Sequence, residues 1–211
     1  MIVSGAVITA DMVNSTALGT EAAAKLTNRL QQLIAANNAK FLFYRGDSFQ
    51  SYLVDPYPAY RLALLLRTEA RLFELEMPEV KTDLKISIGV GNIDTPVLNI
   101  STAKGEAFLL SGRGLEMLEQ SGKRMLIQSE KPVVNLALSS ISLFTDYLFE
   151  KLTFKQAEVL QHLLQNRTQI ETAKILNKSQ STINRHVQSL GWSQLEELLE
   201  LYNKCIQQTQ Q

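Results

Sequence analysis

The sequence predicts an α+β fold: a sheet domain ordered β-α-β-β-α-β, extended by a further α-β pair, then an all-α domain. Three observations carry this. Short runs rich in β-branched residues alternate with longer runs of helical period over residues 1–128. Residues 153–190 hold three short helical periods separated by polar breaks. Between Lys151 and Trp192, six basic residues face two acidic ones, in a chain of formal net charge zero. The expected division is a sheet domain at 1–130, a connecting helix at 131–150 and a helical domain at 151–211.

Residues 2–9 are short and apolar and predict a buried strand with Asp11 at its end. Asn14, Ser15 and Thr16 are turn material, and Thr20-Glu21 opens a helix to about Asn38 with Ala23, Leu26, Leu30, Leu33 and Ile34 inward. Residues 41–44 and 49–54 read as two strands around an Arg45-Gly46-Asp47-Ser48 hairpin turn. Asp55-Pro56-Tyr57-Pro58 breaks the pattern before a helix at 59–76, which Pro78 stops. A strand follows at 84–90. Residues 97–103 read as irregular or a short strand, 106–120 as a helix ended by Gly122, and 124–128 as a last strand. Residues 136–149 are too apolar for a free linker and predict a bridging helix.

In the C-terminal part, Ala157, Leu160, Leu163 and Leu164 lie at helical spacing behind Thr153, with Gln156 placed for a capping box. Ile170, Ala173, Ile175 and Leu176 mark a second, shorter helix. Ser179 caps a third, with Ile183, Val187 and Leu190 inward and Gly191 at its end. Its other face carries Gln180, Ser181, Asn184, Arg185 and Gln188, side chains that hydrogen-bond base edges or phosphates. This is a helix-turn-helix pattern, and the local positive charge points to double-stranded DNA as its partner. A three-helix packing module without DNA is the other reading. A last helix from Ser193 to about Gln207 covers this core or pairs with a second subunit, which would suit a palindromic site.

Composition narrows the classes. The single Cys205 permits no internal disulfide, so a reducing cytoplasm is the expected setting. His162 and His186 lack cysteine partners, so zinc is not expected. No hydrophobic run reads as the roughly 20 residues needed to span a bilayer, so no membrane partner is expected. Asp11 and Asp47 stand at strand edges that a β-α-β-β start can bring together. Two carboxylates at one place suit Mg²⁺ or Mn²⁺ completed by phosphates and water. Ser15 and Thr16 lie where a helix start would meet a phosphate. Each aspartate also has a purely structural reading, as a turn cap. Gly112 and Gly114 inside a helix point first to close packing, with a bound ligand as the other reading, and Arg45 and Arg67 receive no role.

Residues 152–187, through Leu152-Thr153, 156–160, 173–176, Ser179, 181–183 and His186-Val187, resemble the helix-turn-helix of LuxR-type regulators and of sigma-factor region 4. That resemblance makes 180–189 the recognition helix. The segments AVITADMVNSTAL, FYRGDSFQSYLV, LKISIGVG and KGEAFLLSGRGLEML resemble, in order, the class III nucleotidyl cyclase catalytic domain. The hairpin is also similar to that of diguanylate cyclases. The two-part chain resembles the SatD family. The cyclase resemblance implies a ferredoxin-like sheet, Asp11 and Asp47 as metal ligands, and the Met12–Val13 backbone with Ser15 and Thr16 at the phosphates. It implies Arg113 as the arginine that stabilises charge in phosphoryl transfer.

The sequence departs from that pattern where the base and ribose are read. Leu109 stands where an asparagine orients the ribose, Phe43 where a lysine reads the base, and Thr102 where an aspartate does. Cyclisation of ATP is therefore not expected. Three readings follow: a DNA-binding regulator, homodimeric, whose cyclase-like domain dimerises the chain or senses a nucleotide or other phosphorylated molecule; a metal-dependent nucleotidyl transferase or hydrolase using Asp11, Asp47 and Arg113; or a dimeric scaffold with a degenerate pocket.

Overall fold

The computed structural model describes residues 2–44 and 47–210. Its centre is strand β1 (Ile2–Val13), flanked antiparallel by β3 (Ser48–Leu53) and β4 (Asp83–Asp94). Strand β2 (Lys40–Tyr44) pairs outside β3, and β5 (Met125–Ser129) runs parallel to β4. The sheet order is β2-β3-β1-β4-β5. With α1 (Ser15–Ala36) and α2 (Ala59–Phe73) between them, the first four strands make the expected ferredoxin-like unit. The α-β extension is α3 (Glu106–Glu119) and β5.

Side chains two apart on a strand share a face, and β1 sorts its residues accordingly. Ala6, Ile8, Ala10 and Met12 enter the main core with Leu26 and Leu30 of α1 and Leu62 and Leu66 of α2. Val7 points the other way, into a smaller cluster with Tyr52, Ala107 and Phe108. Thr9, on that same side, donates to Ser111 Oγ of α3 at 2.8 Å. Helix α3 approaches β4 so closely that a Cβ on Gly89 would lie 2.2 Å from the Ala107 carbonyl oxygen. One on Gly114 would lie 2.2 Å from Ser87 Oγ, whereas Gly112 has nothing within 4 Å. Packing thus explains Gly114 and not Gly112.

Helix α4 (Pro132–Lys151) extends past the apolar run 136–149 at both ends. Its 20 residues, with mean hydropathy 1.2, are long and apolar enough to cross a membrane, which corrects the sequence reading on length. Here Val134, Leu138, Ile141, Thr145 and Phe149 are buried. A polar row on the same helix covers the edge of β5. Asp146 accepts from the Arg124 and Met125 amides, Ser142 Oγ from Ile127 N at 3.0 Å, and Asn135 Oδ1 from Ser129 N at 2.7 Å. An edge strand offers unpaired N–H groups to any passing strand, and this row satisfies them.

Three short helices follow: α5 (Phe154–Leu164), α6 (Gln169–Ile175) and α7 (Gln180–Ser189). The Thr153–Gln156 capping box and the Ser179 cap form as expected, and Thr168–Glu171 makes a second box. Asn166 and Asn177 turn the chain at φ 61° and 50°, a conformation asparagine tolerates better than most residues. Ile183, Val187 and Leu190 are buried. Ile170 and Ile175, placed in the α6 set by spacing, are instead half exposed, at 52% and 50%. The inward residues of this seven-residue helix are Thr172 and Ala173. Helix α8 (Trp192–Thr209) returns to the sheet unit, where Tyr202 donates to the Pro56 carbonyl at 2.9 Å. One hydrophobic core runs through both parts, from Ile8 and Phe73 to Val159 and Ile206.

Candidate functional site

Two local deviations from the expected elements shape the site. Strand β1 continues to Val13, so Asp11 lies within it and not at its end. Helix α1 starts at Ser15, five residues early, and Gly19 (φ 73°, ψ 166°) breaks its first turn from the rest. The αL residue Asn14, whose side chain donates to the Lys81 carbonyl, makes the sharp change from strand to helix.

Asp11 pairs in register with Ser48 on β3, and Ser48 Oγ donates to the Asp11 carboxylate at 2.7 Å. Asp47, one residue before Ser48, accepts from Ser15 Oγ at 2.9 Å. The Met12 amide donates to the Asp47 carbonyl at 3.1 Å. The fold therefore brings Asp11, Asp47, Ser15 and Ser48 to one corner where β1, β3 and α1 meet. Arg45 and Gly46, the rest of the expected turn, lie outside the described residues.

The corner is polar and half-buried. Among the described residues no lysine or arginine lies within ion-pair distance of either carboxylate, although Lys85 stands across from Asp11 on β4. Among the described residues, their side-chain hydrogen-bond partners are the neutral hydroxyls of Ser48 and Ser15. Partly buried charge of one sign normally has a counter-charge, and a divalent cation with its waters and a phosphate would supply one. Carboxylate oxygens are donors that Mg²⁺ and Mn²⁺ prefer, and Asp11 and Asp47 would be the residues to hold such an ion. No group of three or more His, Cys, Asp or Glu side chains placed for a metal exists among the described residues. Any ion here would need oxygens from a ligand or water.

A cleft of about 510 Å³ opens beside Asp47 along α1, lined by Ser15, Thr16, Gly19, Thr20 and Asn28 among others. Thr16 is exposed at its mouth, and the first amides of a helix have no intrahelical acceptor. The Met12 amide is taken by Asp47, and Arg113 is exposed on α3 without an ion pair to any described residue. The three departures from the cyclase pattern have these surroundings. Leu109 is exposed, Phe43 stacks on Phe49 with centroids 4.8 Å apart, and Thr102 sits in a single 3-10 turn at Ile100–Thr102.

Sequence reasoning missed two features. One is the hydrogen-bond chain beside Asp11, in which Gln50 donates to Thr9 and Thr9 to Ser111. The other is Arg67, 2% exposed, which donates through Nε and Nη2 to Asp83 at 3.0 Å each and through Nη1 to Asp146 at 2.6 Å. Its guanidinium also lies 4.4 Å from the Phe149 ring centroid. A lone arginine inside the apolar run LALLLRTEA was the available signal.

The five polar residues expected to face DNA, Gln180, Ser181, Asn184, Arg185 and Gln188, are all exposed on α7, opposite Ile183 and Val187. They form a solvent face along a 10-residue helix capped at Ser179.

No protein-family model matches the chain, and no curated protein matches it. Solved structures do. The adenylyl cyclase CyaB from P. aeruginosa is 16% identical over 60% of this chain and 77% of its own, with a TM-score of 0.50. An adenylate/guanylate cyclase/hydrolase from Silicibacter pomeroyi is 22% identical over 56% of this chain and 71% of its own, with a TM-score of 0.44. The GGEEF domain of a diguanylate cyclase from Vibrio cholerae is 14% identical over 61% and 84%, with a TM-score of 0.45. The N-terminal part of the chain has a class III nucleotidyl-cyclase-like fold, followed by an all-α region.

Proposed function

We propose that the chain binds a nucleoside triphosphate or a similar polyphosphorylated ligand through a divalent ion held by Asp11 and Asp47. The observation that carries this is the corner itself: two carboxylates on adjoining backbone segments, Asp11 held by Ser48 and Asp47 by Ser15, with no cation partner among the described residues. A bound Mg²⁺ or Mn²⁺ would neutralise them and bridge to ligand phosphates. Ser48 and Ser15 orient the carboxylates, and the exposed start of α1 offers amides to a phosphate. Leu109, Phe43 and Thr102 leave the base and ribose without the polar partners of a cyclase, so we assign binding and not cyclisation. Turnover as a transferase or hydrolase would need a charge-stabilising cation such as Arg113.

Calorimetry with a nucleoside triphosphate and Mn²⁺ tests the reading. Binding should require the metal and disappear in Asp11→Asn and Asp47→Asn. Metal-independent binding that both variants retain would end it.

A second reading is favoured by the exposed polar face of α7 over a buried apolar one. We propose that α5, α6 and α7 form a helix-turn-helix that reads double-stranded DNA, with the sheet unit as its sensing module. The order of the two parts is the one the SatD-family resemblance implies. Phosphate contacts release counterions, so DNA affinity should fall steeply with salt. Arg185→Ala should weaken binding at every salt concentration. Retention on DNA that salt and Arg185→Ala leave unchanged would rule this reading out.

A further inference from the structure

Helix α4 has a second face. Opposite its buried residues, Val133, Leu136, Ser140, Leu143 and Tyr147 follow one another at intervals of three and four. Val133, Leu136 and Leu143 are 76%, 74% and 61% exposed, and Tyr147 and Phe144 are exposed beside them. Spacing of three and four is the seam along which two helices pack side by side. The seam runs about 21 Å at 1.5 Å per residue. Scattered exposed leucines need no explanation, but a continuous apolar stripe on a folded protein marks a contact surface.

We propose that this stripe is the homodimer interface, with α4 of one copy packed antiparallel against α4 of a second. Three observations select a second copy and this orientation. First, the stripe carries no charge between Lys131 and Asp146, so its middle suits an equally apolar partner. Ser139 and Ser140 are exposed at that middle and leave room for two helix axes to approach. Second, the ends complement each other. Glu130-Lys131 precedes the helix and Glu150-Lys151 closes it. Antiparallel pairing sets Lys131 beside the other copy's Glu150 and Glu130 beside its Lys151, and it opposes the helix dipoles. Parallel pairing would set like charges and like dipole ends together. Third, the stripe continues onto α8. Phe144, Leu198 and Leu201 border a cleft of about 410 Å³ rimmed by Glu197, Glu200 and Lys204. Antiparallel packing brings the other copy's Leu136 to this end of the stripe, where a leucine side chain fits the cleft. Such an interface is isologous, the same patch on both copies. The inference stands apart from the Asp11–Asp47 reading.

Sedimentation equilibrium on the full chain tests it. The expected mass is twice the 23.6 kDa of one copy. Leu136→Glu and Leu143→Glu, singly, should each raise the dissociation constant about thirtyfold or more, as loss of a central apolar anchor does. The circular dichroism spectrum should not change. Leu98→Glu, at a site 88% exposed and off the stripe, should leave the dimer intact. For orientation, an oxidised mixture of Val133→Cys and Tyr147→Cys chains should give the mixed disulfide. A monomeric parent, a dimer indifferent to the α4 changes, or a monomer that binds lipid vesicles through α4 would each overturn the proposal. A Val133→Cys chain that cross-links only to itself would overturn the antiparallel arrangement.

Discussion

Arg67 of α2 and Asp146 of α4 meet at 2.6 Å, and this contact ties the sheet unit to the helix that leads into the C-terminal region. Asp146 spends its other oxygen on the Arg124 and Met125 amides at the start of β5. Arg67 also donates through Nε and Nη2 to Asp83 at the start of β4. One buried cation therefore fixes the ends of two strands and two helices. Burial alone would lower the pKa of Arg67, but the adjacent Asp83 and Asp146 outweigh it and raise it, so the guanidinium stays charged.

Breaking a buried pair by removing one partner leaves the other charge uncompensated, at a cost of about 3–5 kcal/mol. Arg67→Met should lower stability by that order in urea denaturation. Asp146→Asn keeps an acceptor oxygen and should cost less. Equal losses for the two would contradict the network.

The helix glycines divide. Gly114→Ala drives a methyl into Ser87 and Gln128 and should destabilise by about 1–3 kcal/mol. Gly112→Ala meets open space in a helix and should stabilise by about 0.5–1 kcal/mol. Chemical denaturation of both variants checks the pair, and the opposite order of effects would refute the packing account.

The same positions show what could be read in the sequence. Strand and helix order was legible because periods of 2 and 3.6 are local properties. Thr153 and Ser179 were legible because caps are set by neighbouring residues. The start of α1 was not, because Asn14 in αL and a break at Gly19 let the helix begin inside turn-like residues. The exposure of Ile170 and Ile175 was hidden because seven residues make too short a helix to show which face is covered. At the candidate site, Asp11 and Asp47 were named from strand order, and the structure sets them in one corner. Ser48 and Gln50 were missed because their roles depend on β1–β3 register, which no single segment encodes.

The second capping box gives a local test. Thr168 accepts from the Glu171 amide, and the Glu171 carboxylate reaches back to the Thr168 amide at 2.7 Å. Hydrogen bonds from the Thr168 amide, and then from its hydroxyl, lower the pKa of the Glu171 carboxyl. Thr168→Ala should cost about 0.5–2 kcal/mol, with amide exchange accelerating first in α6. Unchanged exchange there would show that packing alone holds this helix.

Stability should depend on His162 in a defined pH range. Burial, and then the charge of Arg167, lower its pKa from the usual 6.5. The neutral ring also sits 3.1 Å from Arg167 Nη1 and can accept its hydrogen bond. A folded pKa below the unfolded one stabilises above pH 6.5 and loses that stability as pH falls through the folded value. The melting-temperature difference between the parent and His162→Gln should therefore shrink from pH 7 to pH 5. A difference that grows on acidification would mean the pKa is raised instead.

The most direct test of the central claim is a Mn²⁺ titration followed by electron paramagnetic resonance, with and without a nucleoside triphosphate. The account expects protein-bound Mn²⁺ that the triphosphate strengthens, and its loss in both Asp11→Asn and Asp47→Asn chains that keep the parent's melting profile. Bound Mn²⁺ indifferent to either substitution, or none in the parent with the triphosphate present, would contradict the assignment of this corner as a metal–phosphate site.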